Sequence, residues 1–183
     1  MNRRVWLWPV IVLVLAGAYP VGKWVVRVWV DRKIERNLGH ALPTFSLTAT
    51  DGRTVRSDDL RGKIGVLHFL RSFCGSCERE KPAVRALAAK LDPNDVVLWS
   101  IMTDRLQNYA EADTQATLAR SKFTHPVLMA DKAFADAFHG AEWSHVTPIW
   151  YVISRDGHIV ATLRGTQELE AVEAAIDEAR RRE

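Results

Sequence analysis

The sequence predicts an α/β domain, a mixed central sheet flanked by helices, preceded by an N-terminal transmembrane helix. Three observations carry this. Apolar runs of strand length, Ile64 to Leu70 and Val96 to Ile101, alternate with stretches of helical period. The chain then ends on a hairpin pattern and a helix, the order of a mixed sheet. Before all of this, 18 residues from Val5 to Gly22 carry no charge, about the minimum for a spanning helix.

The elements follow in order. Trp6 and Trp8 at one end of the uncharged run, and Trp24 and Trp29 beyond the other, are placed like aromatic belts. Lys23, Arg27, Asp31 and Glu35 recur every fourth residue, so the helix continues with one charged stripe and with Trp24, Val25, Val28 and Trp29 in apolar surroundings. Ala16-Gly17-Ala18 offers a signal-peptide cleavage site as the alternative to a retained anchor. Residues 37–44, with Gly39 and Pro43, read as a linker between this segment (1–36) and a domain over 45–183. Phe45 to Thr48 alternates as a half-buried strand, Asp51-Gly52 turns it, and Thr54-Val55 pairs back. Ser57 to Gly62 is a single helical turn closed by glycine. Ile64 to Leu70 reads as a strand buried on both faces. Glu78 to Leu91 is helical, with Val84, Leu87, Ala88 and Leu91 on one face. Val96 to Ile101 is a second buried strand, and 104–121 an amphipathic crossover helix. A short strand (Pro126 to Met129), a short helix (Asp131 to Phe138) and a strand (Ile149 to Ile153) come next. Arg155-Asp156-Gly157 turns into His158 to Leu163, and Gln167 to Arg182 closes the chain as a helix.

Composition narrows the function classes. With 48% hydrophobic and 26% charged residues the chain can build a core, which excludes global disorder. The net charge of +3 is unevenly spread. Residues 1–36 hold seven Lys/Arg against Asp31 and Glu35, while the remainder holds 18 bases and 20 acids. The domain itself therefore lacks the basic face that nucleic-acid binding requires, whereas the N-terminal segment suits a juxtamembrane position near anionic lipid. Lys/Arg counts beside the span, two before and five after, would by themselves leave the domain in the cytoplasm. Long domains translocate regardless of such counts, so they do not decide orientation.

Cys74 and Cys77 are the two cysteines of the chain. No third cysteine exists to form a structural cross-link, so a disulfide scaffold is excluded. They lie where a buried strand ends and a helix begins. There, unpaired N–H groups and the helix dipole favour thiolate, the attacking species in disulfide exchange. Two intervening residues, Gly75 and Ser76, let the second sulfur reach the first, so Cys74 reads as the exposed nucleophile and Cys77 as the buried resolver. Half a zinc site is the competing reading. It needs four ligands, and His40, His68, His125, His139, His145 and His158 show no tight pairing in sequence.

These residues lie within a longer likeness. The lead-in L-P-T-F-S-L-T-A-T-D-G-R-T-V, the L-R-G-K before the strand, F-C-G-S-C-E-R-E-K-P, V-T-P-I-W-Y-V-I-S-R-D-G-H-I-V and Gly165 together resemble the thioredoxin superfamily, over roughly residues 42–182. Within it they resemble the membrane-anchored bacterial thiol:disulfide oxidoreductases of the TlpA/ResA/CcmG type. The resemblance implies a thioredoxin-like fold and a catalytic set of Cys74, Cys77, Glu80 and Pro148, with no cofactor and no metal. Pro148 would be a cis-proline facing the disulfide, and Thr147 would offer backbone groups to an extended substrate. Phe73, Gly75 and Ser76 would complete the substrate-binding surface. Phe73 stands where the family usually has tryptophan and should fill the same apolar place. Glu80 would relay protons for Cys77, or be a solvated helix carboxylate. Pro82 matches the family's helix-kinking proline. His68, six positions before Cys74 where thioredoxins hold a buried acid, would assist proton transfer or be a hydrogen-bonded core residue.

The resemblance also implies a location and partners. The domain would lie outside the cytoplasm, on a single-pass anchor in the inner membrane. It would take electrons from a membrane thiol donor and reduce a protein disulfide, such as the heme-site cysteines of apocytochrome c or the copper-site cysteines of an oxidase subunit. A disulfide oxidase ranks lower, because Gly75-Ser76 lacks the histidine of strongly oxidising relatives. A peroxiredoxin is rejected, because Leu67 and Arg71 occupy the proline and threonine places of P-x-x-x-T-x-x-C. A copper-binding chaperone would space its cysteines by three residues and add a distant histidine; here two lie between, with His125, His139 and His145 as candidates.

Overall fold

A computed structural model describes residues 7–182, with side chains from Gly17 onward. The described residues fall into two compact units divided between Arg36 and Asn37. The first is one helix, α1 (Leu7–Glu35), with Pro20 inside it and Arg32 and Lys33 in its last turn. Tyr19, Trp24, Val25, Val26 and Trp29 are exposed on it. The expected span begins at Val5, and that residue, Trp6 and the preceding Arg3-Arg4 lie outside the described residues. Among the described residues no helix is long and apolar enough to cross a membrane.

The second unit opens beside the sheet. Residues 39–42, expected as linker, hydrogen-bond along 157–159 through Gly39 N–H to Ile159 O, Ile159 N–H to His40 O and Leu42 N–H to Gly157 O. Strands β1 (Ser46–Thr48) and β2 (Thr54–Arg56) pair antiparallel. Their turn holds Gly52 at φ +84°, a conformation open to glycine because it lacks Cβ. A 3-10 turn over Ser57–Leu60 buries Leu60.

The main sheet contains β3 (Ile64–Leu70), β4 (Val96–Met102), β5 (Val127–Met129), β6 (Ile149–Ile153) and β7 (Ile159–Arg164). Their order is β5-β4-β3-β6-β7. β3 is parallel to β4, and β4 to β5, whereas β6 and β7 run antiparallel to their neighbours. Every residue of β3 is buried, as its nearly continuous apolar run, interrupted at His68, requires of a central strand. Helices α2 (Gly75–Lys90) and α5 (Leu169–Arg181) cover one face, where Val84, Leu87, Val172 and Ile176 pack on Ile64, Val66, Leu98 and Val152. The short helix α4 (Lys132–Ala137) serves the other face. There Phe69 meets Phe134, Phe138 and Tyr151 with ring centroids 5.5–5.7 Å apart.

Two element expectations change. The helix after β3 starts at Gly75 rather than Glu78, because Cys74 caps it: Cys77 N–H donates to Cys74 Sγ at 3.1 Å. The expected helix over 104–121 is broken into a 3-10 turn (Asp104–Gln107) and α3 (Glu111–Ser121). Asn108 at φ +54° ends the turn. The buried residues of α3 are Thr114, Thr117 and Ser121, so its inner face is polar. An apolar period cannot mark such a helix.

Candidate functional site

Cys74 and Cys77 are joined by a disulfide at the N-terminus of α2, with Cα atoms 5.2 Å apart. Cys77 is buried at 1% exposure as expected, but Cys74 is buried too, at 5%, because its sulfur is bonded to Cys77 and lies against Thr147. Residues Leu70, Met102, Val127 and Met129 form the apolar ground beneath them. The Thr147–Pro148 bond is cis. Thr147 Oγ1 donates to Cys74 Sγ at 3.4 Å, and Thr147 O lies 3.7 Å from the same sulfur. The resemblance-based pairing of Cys74 with the Thr147-Pro148 segment is therefore a contact. Gly165 N–H donates to Pro148 O at 2.9 Å, tying the end of β7 to this segment. Gly75 is exposed and Ser76 half-buried; Ser76 Oγ accepts from Arg79 at 3.2 Å.

Phe73 departs from expectation. Its side chain is 69% exposed rather than seated in an apolar place, and its ring stands edge-on to Tyr109 at 5.3 Å. Its φ is +54°, a left-handed conformation that a bulky residue holds only when its surroundings impose it. Those surroundings include residues that the sequence reading passed over. Asp104 is fully buried and accepts from Ser72 N–H at 2.7 Å, Ser72 Oγ at 2.5 Å and Thr114 Oγ1 at 2.8 Å. Arg71 donates to Ser72 O (3.1 Å), Phe73 O (3.4 Å), Tyr109 Oη (3.0 Å) and His145 O (3.3 Å). A buried carboxylate below and a guanidinium above thus fix the two residues that lead into Cys74. The sequence carried one weak signal for this, an acid directly after a strand of the sheet.

Glu80 follows Cys77 by three positions, so both project from the same side of α2. It is 1% exposed, which removes the solvated-carboxylate reading. A buried carboxylate needs donors. Glu80 Oε1 accepts from Trp150 Nε1 at 2.8 Å and Gln167 N–H at 2.7 Å, and Oε2 lies 3.1 Å from His68 Nε2. His68 is fully buried and its Nδ1 is 3.3 Å from Ser100 Oγ. Ser100 Oγ lies 2.8 Å from His125 Nε2. Two of the six histidines are therefore joined through one serine, a link that spacing in sequence cannot display. Burial, and then the neighbouring His68, push the His125 imidazole down to about 4 from its ordinary 6.5. His139 lies elsewhere, with Nδ1 3.3 Å from Tyr151 Oη, and His145 is exposed beside Trp143. Among the described residues no three His, Cys, Asp or Glu side chains gather as a metal site would require.

Comparison with known proteins places this geometry. The AhpC/TSA family matches residues 38–162. A thiol-disulfide oxidoreductase ResA of Bacillus cereus is 26% identical over 164 residues, 90% of each chain. Among solved structures, a thiol:disulfide interchange protein from Bacteroides sp. superposes with a TM-score of 0.61 at 20% identity, over 76% of this chain and 90% of the other. The thioredoxin domain of a thiol-disulfide oxidoreductase from Bacteroides vulgatus gives 0.60 at 21%, over 76% and 97%. At such identities the structures speak for the fold, and the fold is thioredoxin-like. Because the family match runs through both cysteines and most of the second unit, the chain belongs to the AhpC/TSA family.

Proposed function

We propose that this protein is a membrane-tethered reductase of specific protein disulfides, working outside the cytoplasm through Cys74 and Cys77. The coarser statement is firm: the chain is a thiol-disulfide oxidoreductase of the ResA type, with its cysteine pair in place. The observation that carries the reading is the Cys74–Cys77 disulfide capping α2 with Cys74 Sγ against Thr147. In the reduced protein, Cys74 thiolate attacks a substrate disulfide, and one substrate sulfur leaves as thiolate. Cys77 gives its proton to a base, for which Glu80 is placed. Its thiolate then attacks Cys74 Sγ, forming Cys74–Cys77 and releasing the second substrate sulfur. Two electrons have passed to the substrate, and a membrane thiol donor would return them.

The exposed Phe73, the Gly75-Ser76 turn and the Thr147 carbonyl would receive the extended substrate chain. The uncharged run from Val5 and the exposed tryptophans of α1 support tethering to inner-membrane lipid, which raises the encounter rate with membrane partners. Heme-site cysteines of apocytochrome c and copper-site cysteines are the substrate classes this reading favours. A peroxidase reading lacks its motif, since Leu67 and Arg71 hold the positions of its proline and threonine.

The test is a pair of variants in membranes. Cys74→Ser should lose turnover, and Cys77→Ser should accumulate a mixed disulfide with its substrate. Recovery of no cross-linked partner from Cys77→Ser cells would sink the substrate claim. The reduction potential of the pair decides direction: near or below roughly −270 mV supports a reductase, and near roughly −120 mV an oxidase.

A further inference from the structure

Glu80, one turn after Cys77 on α2, does not stand alone. Across the sheet, Trp150 on β6 is in register with His68 on β3, His68 with Ser100 on β4, and Ser100 with Val127 on β5. His68 and Ser100 share the face on which Ile64, Val66, Val96 and Leu98 pack, because side chains two apart on a strand point the same way. Directly opposed residues on neighbouring strands lie close enough for their side chains to touch. The outcome is a line of polar groups threaded through an apolar layer: Glu80 Oε2, His68 Nε2 and Nδ1, Ser100 Oγ and His125 Nε2, with successive separations of 3.1, 3.3 and 2.8 Å. Glu80, His68 and Ser100 are at most 1% exposed.

The line ends at the edge of the sheet. His125 precedes β5 and is half-buried. Its Nδ1 is buried and has no hydrogen-bond partner among the described residues. Its residue lines an open cleft of ≈ 450 Å³, with Lys63, Leu91, Pro93, Trp99 and Asp59. An apolar pair would satisfy the core at positions 68 and 100 at lower desolvation cost, so packing alone does not account for the line.

We infer that Glu80, His68, Ser100 and His125 form a proton relay between Cys77 and the cleft at the β5 edge. This rests on the oxidoreductase reading above and adds the route by which the resolving step sheds its proton. The row has two consistent orders. With Glu80 ionised, His125 Nε2–H donates to Ser100 Oγ, Ser100 O–H to His68 Nδ1, and His68 Nε2–H to Glu80 Oε2. With Glu80 protonated, every bond reverses: Glu80 donates to His68 Nε2, His68 Nδ1–H to Ser100, Ser100 to His125 Nε2, and His125 Nδ1 carries a proton. The second order holds one proton more than the first. That proton comes from Cys77 as its sulfur attacks Cys74 Sγ, and the row returns to the first order when His125 Nδ1, itself buried, releases it to a water admitted from the adjoining cleft. The charged group on the row is Glu80 from α2, which accepts from the neutral indole N–H of Trp150 on β6, and Asp59 and Lys63 line the cleft beside His125.

Both orders require the two imidazoles to adopt the same tautomer, and this is measurable without turnover. In the full chain, at pH values where both rings are neutral, imidazole 15N spectra should show protons on Nε2 of both rings, or on Nδ1 of both. Opposite tautomers in His68 and His125 would overturn the relay. Kinetically, single-turnover reduction of Cys74–Cys77 by dithiothreitol moves a proton through the same row in reverse. Ser100→Ala should slow it at least fivefold and change its pH profile, and Ser100→Thr, which keeps the hydroxyl, should restore both. His125→Gln, at the half-buried end, should give the same loss should Ser100→Ala not fold. Rates within twofold of the parent for folded Ser100→Ala or His125→Gln at every pH would refute the relay. A parent protein that reduces no protein disulfide would refute the oxidoreductase reading instead, while the tautomer comparison still judges the relay.

Discussion

The two faces of the central sheet are built from the same strands and put to different uses. On one face, Phe69, Phe134, Phe138 and Tyr151 pack ring to ring, with centroids between 4.7 and 5.7 Å for Phe134–Phe138, Phe138–Tyr151, Phe69–Phe138 and Phe69–Phe134. Phe45 extends this cluster to Trp99. On the opposite face, Glu80, His68 and Ser100 interrupt an aliphatic layer. Residues alternate along β3, so Phe69 and His68 are neighbours in sequence yet belong to different environments. The difference teaches where stability and chemistry are kept. Aromatic burial stabilises without direction, whereas the polar row gives up apolar contact for an ordered set of hydrogen bonds.

Four substitutions or conditions probe that contrast, in falling order of expected effect. Phe69→Ala removes the hub of the aromatic face and should cost about 3–5 kcal/mol in denaturant unfolding. Disulfide exchange per folded molecule should stay as it was; a large loss of exchange would mean the faces are not separable. Acid should act mainly through the polar face. His125 titrates near 4 in the folded chain and near 6.5 unfolded, so the unfolded state holds more protons between these values. Stability should therefore fall as pH drops from about 6.5 to about 4, by about 3 kcal/mol, and level off below. His125→Gln should remove this slope, and an unchanged slope would contradict the assignment. Glu80→Gln keeps an oxygen acceptor for Trp150 and Gln167, so its stability loss should be about 1 kcal/mol. Its resolving step should slow roughly 10- to 100-fold, the reverse of the Phe69→Ala pattern.

The smallest effect lies off both faces. Asp95 is held by Arg180 at 2.8 Å and Arg155 at 2.5 Å, and these guanidinium groups keep its carboxyl below the usual range. All three side chains are partly exposed, which limits the benefit. Asp95→Asn should cost no more than about 1 kcal/mol near neutral pH. The contribution is present above the ordinary carboxylate value and is lost as pH falls through the lower folded one. A larger loss in a two-state melt would show that this cluster contributes more than exposed pairs do.

Much of the fold was legible in the sequence because it follows local rules. The nearly continuous apolar runs of β3 and β4, the Asp51-Gly52 turn and the cysteine pair before a helix each declare themselves within ten residues. What escaped depends on register. His68, Ser100 and His125 are separated by 32 and 25 residues, and only the alignment of β3, β4 and β5 brings them into line. Asp104 escaped for a related reason. Its donors come from Ser72 and Thr114 on separate elements, and the polar inner face of α3 gives no hydrophobic period to betray them. Phe73 was misplaced because the family analogy supplies a neighbour at that position but not the left-handed backbone that turns the ring outward.

The anchoring of the Ser72-Phe73 loop has a consequence for how such a protein diversifies. Asp104 and Arg71 grip the backbone and leave the Phe73 ring free at the surface. If Phe73 receives substrate as proposed, recognition and redox chemistry are decoupled at one residue: the side chain at position 73 can be exchanged for another shape while the attacking sulfur keeps its aim. A lineage in need of a new client protein could alter its reading surface there without relearning how to move electrons.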